Sequence, residues 1–142
     1  PDPAMERGLR STLGDAVMSS GAVEIGTGIW DRAEVRETLL AADVFCLPTS
    51  YPAEAQPRSI LEAMACGCSI VATDHASIAD MVVSGENGVL VRPGSADDIA
   101  DFLLRTNRGT LSQQGVNSRA IFQARFTCAQ HDAAIREAVL WL

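Results

Sequence analysis

Short apolar runs alternate along the chain with stretches whose apolar residues recur at helical spacing. Four such runs, each bounded by turn residues, predict strands at residues 23–25, 44–47, 69–72 and 89–91. This alternation is typical of a parallel sheet covered by helices. The second and third runs are apolar almost throughout, which favours strands that are buried on both faces. We therefore expect an α/β domain with a doubly wound parallel sheet.

Helical patterns fill the intervals between the predicted strands. Asp31 can cap a helix that ends just before the second strand. The next helix can carry Pro57 in its first turn, where a missing N–H costs nothing, and end at Gly67. Beyond Thr110 the pattern is wholly helical, with a break near Phe126. Each predicted strand is therefore followed by a helical segment that can cover the sheet.

Polar residues with strong turn preferences punctuate the second half of the chain. Ser77 with Asp80, and Ser95 with Asp98, have the spacing of capping boxes, in which the serine and the acid each satisfy an unpaired N–H group. The Asn-Gly pair at 87–88 predicts a tight turn with a positive φ angle before the fourth strand. We interpret these residues as structural.

The composition is that of an ordinary globular domain, because 47% of the 142 residues are hydrophobic and 20% are charged. The net charge is −7 and the chain has no lysine, which makes nucleic acid or an anionic bilayer a poor electrostatic partner. No apolar run approaches the roughly 20 residues that cross a membrane, and no charged-then-apolar leader opens the sequence. We expect a cytoplasmic protein with no transmembrane segment and no nucleic-acid partner.

The four cysteines do not form a metal-binding pattern. Only Cys66 and Cys68 are sequence neighbours, and the second ligand cluster that a structural zinc site needs is missing. We therefore expect reduced, mostly buried thiols and no bound metal.

Candidate chemistry is concentrated where the second strand gives way to a loop and a helix. In a doubly wound sheet, ligands bind outside the carboxyl ends of the strands, and this loop must lie there. The helix N-terminus directs unpaired N–H groups to the same place, which favours an anion such as a diphosphate. Arg58 can add a charged contact to phosphate. Glu62, one turn later, can accept hydrogen bonds from the vicinal hydroxyls of a ribose, and Glu54 in the loop can reach a sugar.

These residues carry a family resemblance. Glu54 and Glu62 are separated by seven residues, and the second glutamate begins the motif Glu-Ala-Met-Ala-x-Gly that ends at Gly67. The arrangement resembles the second domain of the GT-B glycosyltransferases of the retaining family 4, also called glycosyl transferases group 1. Further matching segments lie at 42–48, 71–74 and 85–94, so that the resemblance covers about residues 20 to 104.

The resemblance implies a Rossmann-like GT-B fold that transfers sugar from a nucleotide-diphosphate donor to a glycan or lipid-linked acceptor. It implies a retaining reaction without a metal or other cofactor, Glu54 as the catalytic glutamate beside the donor sugar, and Glu62 as the ligand of the ribose. The positions implied to hold the diphosphate are Ala55, Gln56, Arg58 and Ser59.

The chain also departs from the family pattern. Many members carry Gly-Phe-Gly after the first glutamate, where this chain has residues 55–57, Ala-Gln-Pro. Paired glycines that often follow the Thr-Asp pair are replaced by residues 75–77, His-Ala-Ser, and His75 can approach the donor. The arginine and lysine that neutralise the diphosphate in the family are expected on two βα units before residue 20, and we expect the sequence to begin too late to contain them, in line with its lack of lysine. We expect residues 1–142 to form one donor-binding domain, the truncated C-terminal half of a GT-B fold, that lacks its first two βα units and is inactive alone.

Two alternatives remain open from the residues alone. A nucleotide-sugar epimerase of the same fold would convert the donor without any acceptor, so an assay with donor only separates it from a transferase. A non-catalytic nucleotide-binding module fits the altered loop and the missing basic pair. The acceptor is expected to bind an N-terminal domain outside these residues, and an open sheet edge favours self-association.

Overall fold

The computed structural model of the chain describes residues 30–140 and the isolated positions 7, 8, 11, 14 and 21. The chain divides into two units, Pro1–Arg32 and Ala33–Leu142. The architecture below is that of the second unit, whose first helix begins one residue earlier, at Arg32. The predicted strand at 23–25 lies outside the described residues.

Strands and helices alternate through the second unit. The helices are α1 (Arg32–Ala41), α2 (Arg58–Cys66), α3 (Ala96–Arg105), α4 (Arg108–Arg125) and α5 (Cys128–Leu140). The strands are β1 (Val44–Leu47), β2 (Ser69–Thr73) and β3 (Gly88–Val91), and a 3₁₀ helix spans Ala76–Asp80. The three strands are parallel and lie in the order β1-β2-β3. The predicted α/β fold with a parallel sheet is therefore confirmed.

Burial differs between the two strands that were expected to be covered on both faces. All five residues of β2 are buried, as predicted. In β1 the residues are half-buried and Cys46 is exposed, so the prediction is wrong for this strand. The reason is position, because β1 is an edge of the described sheet and β2 is its centre. Apolar character alone does not distinguish an edge strand from a central one.

Helix α2 packs its apolar face onto the sheet. Ile60 and Met64 of this helix and Ile70 of β2 are fully buried in the same cluster. Gly67 ends the helix with a φ of 86°, as predicted, and its N–H donates to the carbonyl of Met64 at 3.1 Å. Only a residue without a side chain enters this left-handed conformation freely.

The cysteines are free thiols, as expected, but only Cys68 is fully buried. Its Sγ donates to the carbonyl of Leu39 at 3.3 Å. Burial, followed by the charges of Cys66 and Asp43, raises the pKa of Cys68 to about 11. This thiol is therefore neutral and serves packing, whereas Cys128 is exposed, which corrects the expectation of mostly buried cysteines.

Helix α4 is fixed to the amino ends of the strands. Ser69 Oγ donates to Gln114 Oε1 at 2.7 Å, and Ser118 Oγ donates to the carbonyl of Asn87 at 3.2 Å; both contacts are buried. Between them, Gly115 lies so close to the end of α2 that an added Cβ would stand 2.1 Å from the carbonyl oxygen of Gly67. These contacts fix α4 against the amino ends of β2 and β3 and against the end of α2.

The boundaries of the last helices follow from a cap that the pattern did not reveal. Helix α4 begins at Arg108 and not near Thr110, because Asn107 Oδ1 accepts from the N–H of Thr110 at 3.0 Å. The predicted break near Phe126 is confirmed, since α4 ends at Arg125 and α5 begins at Cys128.

The turn before β3 differs from the prediction at 87–88. The positive φ angle belongs to Gly85, at 87°, and not to the Asn-Gly pair. Asn87 is fully buried, where its Oδ1 accepts from Val83 N at 2.7 Å and its Nδ2 donates to Met81 O at 3.0 Å. Gly88 is required for a different reason, because a Cβ there would lie 1.8 Å from the carbonyl oxygen of Ile70.

The capping box predicted at Ser95 is half correct. Ser95 Oγ accepts from the N–H of Asp98 at 3.3 Å and caps α3. The carboxylate of Asp98 instead accepts from Arg92, from its backbone N–H at 3.1 Å, its Nε at 2.9 Å and its Nη2 at 2.7 Å. A guanidinium that offers two parallel donors competes successfully with one backbone N–H.

This contact predicts a pH-dependent stability. The hydrogen bonds from Arg92 hold the pKa of Asp98 well below its usual range. A lowered folded-state pKa contributes stability above the pKa of the unfolded chain, about 3.9 for Asp, and that contribution is lost as the pH falls. We expect Asp98→Asn to lower the free energy of unfolding at pH 7, and to lower it less at pH 3, in urea titrations. The exposed Asp97→Asn is the control, and an equal effect of Asp98→Asn at both pH values would contradict the prediction.

Candidate functional site

The start of helix α2 lies at the carboxyl edge of the sheet. Pro57 is buried and occupies the N-cap position, one residue before the predicted first turn, and its carbonyl accepts from the N–H groups of Ile60 and Leu61 at 3.1 and 3.4 Å. Proline suits this position because its missing N–H needs no partner. The N–H groups of Arg58 and Ser59, in the first turn, have no carbonyl within the helix to bond. The geometry provides donors and a partial positive charge for an anion.

Two charged side chains lie on one face of this helix. Arg58 Nη2 is 3.8 Å from Glu62 Oε1, and the side chains are 78% and 48% exposed. An exposed pair at this distance contributes little to stability. Both side chains are therefore available to a ligand.

A shallow groove of about 170 Å³ runs beside these two residues. It is lined by Arg58, Leu61, Glu62, Ala65 and, from α4, Phe122. Glu62 thus lies at a cleft with an apolar floor and is not buried away from solvent. Phe122 was not singled out from the sequence, because its place beside α2 depends on the packing of α4.

The loop between β1 and α2 carries Glu54, which is half-buried. The N–H of Glu54 donates to the carbonyl of Tyr51 at 3.0 Å, and the N–H of Tyr51 donates to Thr49 Oγ1 at 3.1 Å. Ala55 and Gln56 are exposed between this turn and the helix. The loop therefore brings the predicted residues 54–56 to the same edge as Arg58 and Ser59.

The segment after β2 contacts this loop. His75 Nε2 lies 2.9 Å from the carbonyl oxygen of Tyr51, and Ser77 Oγ donates to the carbonyl of Ala55. Ser77 lies inside the 3₁₀ helix and its hydroxyl bonds the loop, so the capping box predicted for Ser77 and Asp80 is wrong. The sequence carried one signal for this contact, the replacement of paired glycines at 75–77.

A second cavity, of about 490 Å³, lies between β3 and α3. Its walls include Leu90, Phe102 and Thr106, together with Arg105, which pairs with Asp101 at 3.3 Å. No motif in the sequence pointed to this cavity, and none of the predicted site residues lines it.

Within residues 30–140 and the five isolated positions, no helix combines the length and apolar character needed to cross a bilayer. In the same described residues, no three His, Cys, Asp or Glu side chains lie together as ligands for a metal ion.

Comparisons with known proteins agree with the resemblance. Residues 3–107 match the family described as Glycosyl transferases group 1. The chain is 28% identical over 109 residues to the amylovoran biosynthesis glycosyltransferase AmsK of Erwinia amylovora, which covers 74% of this chain and 26% of AmsK. This chain thus spans about a quarter of the length of that relative.

Solved structures share the fold. The C-terminal domain of the group 1 glycosyltransferase LpcC from Francisella tularensis superposes with a TM-score of 0.67 at 26% identity, covering 85% of this chain and 64% of that one. Anabaena HepE, solved in complex with UDP, gives a TM-score of 0.69 at 26% identity, covering 96% of this chain and 38% of HepE. The predicted fold class, the C-terminal half of a GT-B architecture, is confirmed.

Proposed function

The chain belongs to the glycosyl transferases group 1 family, and on that premise we propose that residues 1–142 form the domain that binds the nucleotide-sugar donor. One observation carries the proposal: the N-terminus of α2 opens at the carboxyl edge of the sheet, with Arg58 and Glu62 exposed beside a groove. A solved relative of the same fold, HepE, was crystallised with UDP.

The diphosphate of the donor binds at the start of α2. The unpaired N–H groups of the first turn and the dipole of the helix favour a doubly charged group there. Arg58 turns from its weak contact with Glu62 to the phosphate oxygens, since a charge-assisted bond to phosphate is stronger than an exposed pair at 3.8 Å. The N–H groups proposed to bind the diphosphate are those of Ala55, Gln56, Arg58 and Ser59.

The two glutamates bind the donor on either side of its diphosphate. Glu62, beside the groove, accepts hydrogen bonds from the ribose hydroxyls, for which an ionised carboxylate is a suitable bidentate acceptor. Glu54 is the catalytic glutamate and acts beside the donor sugar, a role supported by its position in the loop that precedes α2. His75 stays a predicted neighbour of the donor.

The reaction is the transfer of a sugar to a glycan or lipid-linked acceptor, with retention at the anomeric carbon and without a metal. We further propose that the acceptor binds outside residues 1–142, and that these residues alone bind donor without transferring it. A cytoplasmic location and self-association through a sheet edge stay predictions.

The full natural chain, incubated with uridine and guanosine diphosphate sugars and a panel of lipid-linked acceptors, tests this reaction. We expect transfer that EDTA does not reduce, and a product whose anomeric configuration, read by NMR, equals that of the donor. Loss of activity in EDTA with recovery on adding Mg²⁺ or Mn²⁺ would contradict the metal-independent reaction. Formation of epimerised donor without any acceptor would show that the protein is an epimerase and not a transferase.

A further inference from the structure

We propose that His75 and Ser77 are positioning residues that hold the Glu54 loop in place from the neighbouring strand. The proposal rests on the function proposed above only for its effect on sugar transfer. The contacts between residues 75–77 and the loop that carries Glu54 do not depend on that function.

Two hydrogen bonds connect the segment after β2 to the loop after β1. The carbonyl oxygen of Tyr51 accepts from Glu54 N at 3.0 Å and has His75 Nε2 at 2.9 Å. An imidazole that bonds a carbonyl oxygen must carry its proton on that nitrogen, so His75 is the donor. One oxygen thus joins the turn of the loop to the segment after β2.

The second bond lies on the other side of the glutamate. Ser77 Oγ donates to the carbonyl of Ala55, the residue directly after Glu54. The loop is therefore held three residues before and one residue after Glu54. Since residues 51–53, 55 and 56 are exposed and pack little, these bonds are the main restraint on the position of the carboxylate.

The backbone between the two donors is strained. Ala76 has a φ of 50°, the left-handed region that residues with a Cβ disfavour. Such a conformation persists only where the surrounding structure determines it, and the bonds made by His75 and Ser77 flank it on both sides. The left-handed residue turns the chain so that both neighbours reach the loop.

This arrangement separates binding from chemistry. Arg58, Ser59 and Glu62 of the groups proposed for the diphosphate and the ribose lie on α2, and only the N–H groups of Ala55 and Gln56 lie in the held loop. The position of the Glu54 carboxylate depends on residues 75–77. Loss of the two bonds should therefore reduce kcat more than donor affinity, because a misplaced catalytic group costs rate even when the substrate is bound.

The test uses the full natural chain with paired variants. His75→Leu and Ser77→Ala remove the donors; His75→Gln and Ser77→Thr keep an N–H or O–H donor at a similar reach. Amide hydrogen exchange is followed at Glu54, with Val71 in the buried strand β2 as the control for global unfolding. We expect exchange at Glu54 to quicken about fivefold for each bond lost, to recover in the conservative variants, and not to change at Val71.

A second readout measures donor dissociation constant and kcat in the same variants. We expect kcat to fall about tenfold in the His75→Leu, Ser77→Ala double variant while the dissociation constant rises by a smaller factor, with recovery in the His75→Gln, Ser77→Thr pair. Ser77→Ala, which keeps the His75 side chain beside the donor, should likewise lower kcat more than affinity. Unchanged exchange at Glu54, or faster exchange with unchanged kcat, would overturn the inference. A wild-type chain that binds no donor would contradict the proposed function instead, and the exchange result would still decide whether the loop is held.

Discussion

Gly115→Ala is expected to lower the free energy of unfolding by about 3 kcal/mol, because the new methyl group meets backbone rather than a movable side chain. Its Cβ would lie 2.1 Å from the carbonyl oxygen of Gly67 and 3.1 Å from the carbonyl carbon. Helices α2 and α4 would have to separate, and the buried bond between Ser69 and Gln114 lies in the same contact. Chemical denaturation followed by circular dichroism measures the loss.

Gly109→Ala is the matched control for this change. It makes the same substitution in the same helix, where the added Cβ meets only the side-chain Oδ1 of Asn107 at 3.2 Å. Alanine also favours the helix by up to about 1 kcal/mol over glycine. We expect a near-neutral effect at this position. A Gly115→Ala variant as stable as Gly109→Ala would show that α2 and α4 are not in close contact.

Glu62→Ala is expected to weaken binding of a nucleoside diphosphate sugar about 100-fold in the full natural chain. The change removes the charged acceptor of two hydrogen bonds that the ribose hydroxyls donate, each of which contributes about 1.5 kcal/mol or more. It should leave stability nearly unchanged, because the ion pair that Glu62 makes among the described residues is an exposed one, with Arg58. Isothermal titration calorimetry measures the affinity, and a melting curve verifies the fold.

Glu37→Ala provides the control for the loss of one negative charge. Glu37 is also an exposed glutamate in the middle of a helix, but it lies on α1 and not beside the groove. We expect its affinity for the donor to match that of the wild type. Equal affinities of the Glu62→Ala variant and the wild type would remove Glu62 from the site.

The centre of the fold follows from local patterns. Strand β2 and helix α2 were predicted to within one residue of their ends, because a continuous apolar run, a proline start and a glycine stop each act within a few residues. The exposure of Cys46 and the role of Asn87 could not be predicted in this way. They depend on which strand is the edge and on which buried carbonyl lies within reach of a side chain.

The candidate site divides in the same manner. The spacing of Glu54 and Glu62 and the family resemblance predict a donor-binding helix, and the structure gives that helix an exposed start beside a groove. The contacts of His75 and Ser77 with the loop were not predictable, since they join residues 24 and 22 positions apart in the chain. The sequence shows only that residues 75–77 replace glycines common in the family. The hydrogen bonds that two of these residues make to the loop become apparent only in the folded structure.

An NMR titration of the ¹⁵N-labelled full natural chain with UDP and with UDP-sugars is the most direct test of the claim that the start of α2 binds the donor. The account predicts that the amide signals of Ala55, Gln56, Arg58 and Ser59 shift and saturate together with that of Glu62, because UDP and UDP-sugars both carry the diphosphate and the ribose. Shifts confined to residues lining the cavity between β3 and α3, such as Leu90 and Phe102, would contradict it, as would a spectrum that UDP leaves unchanged.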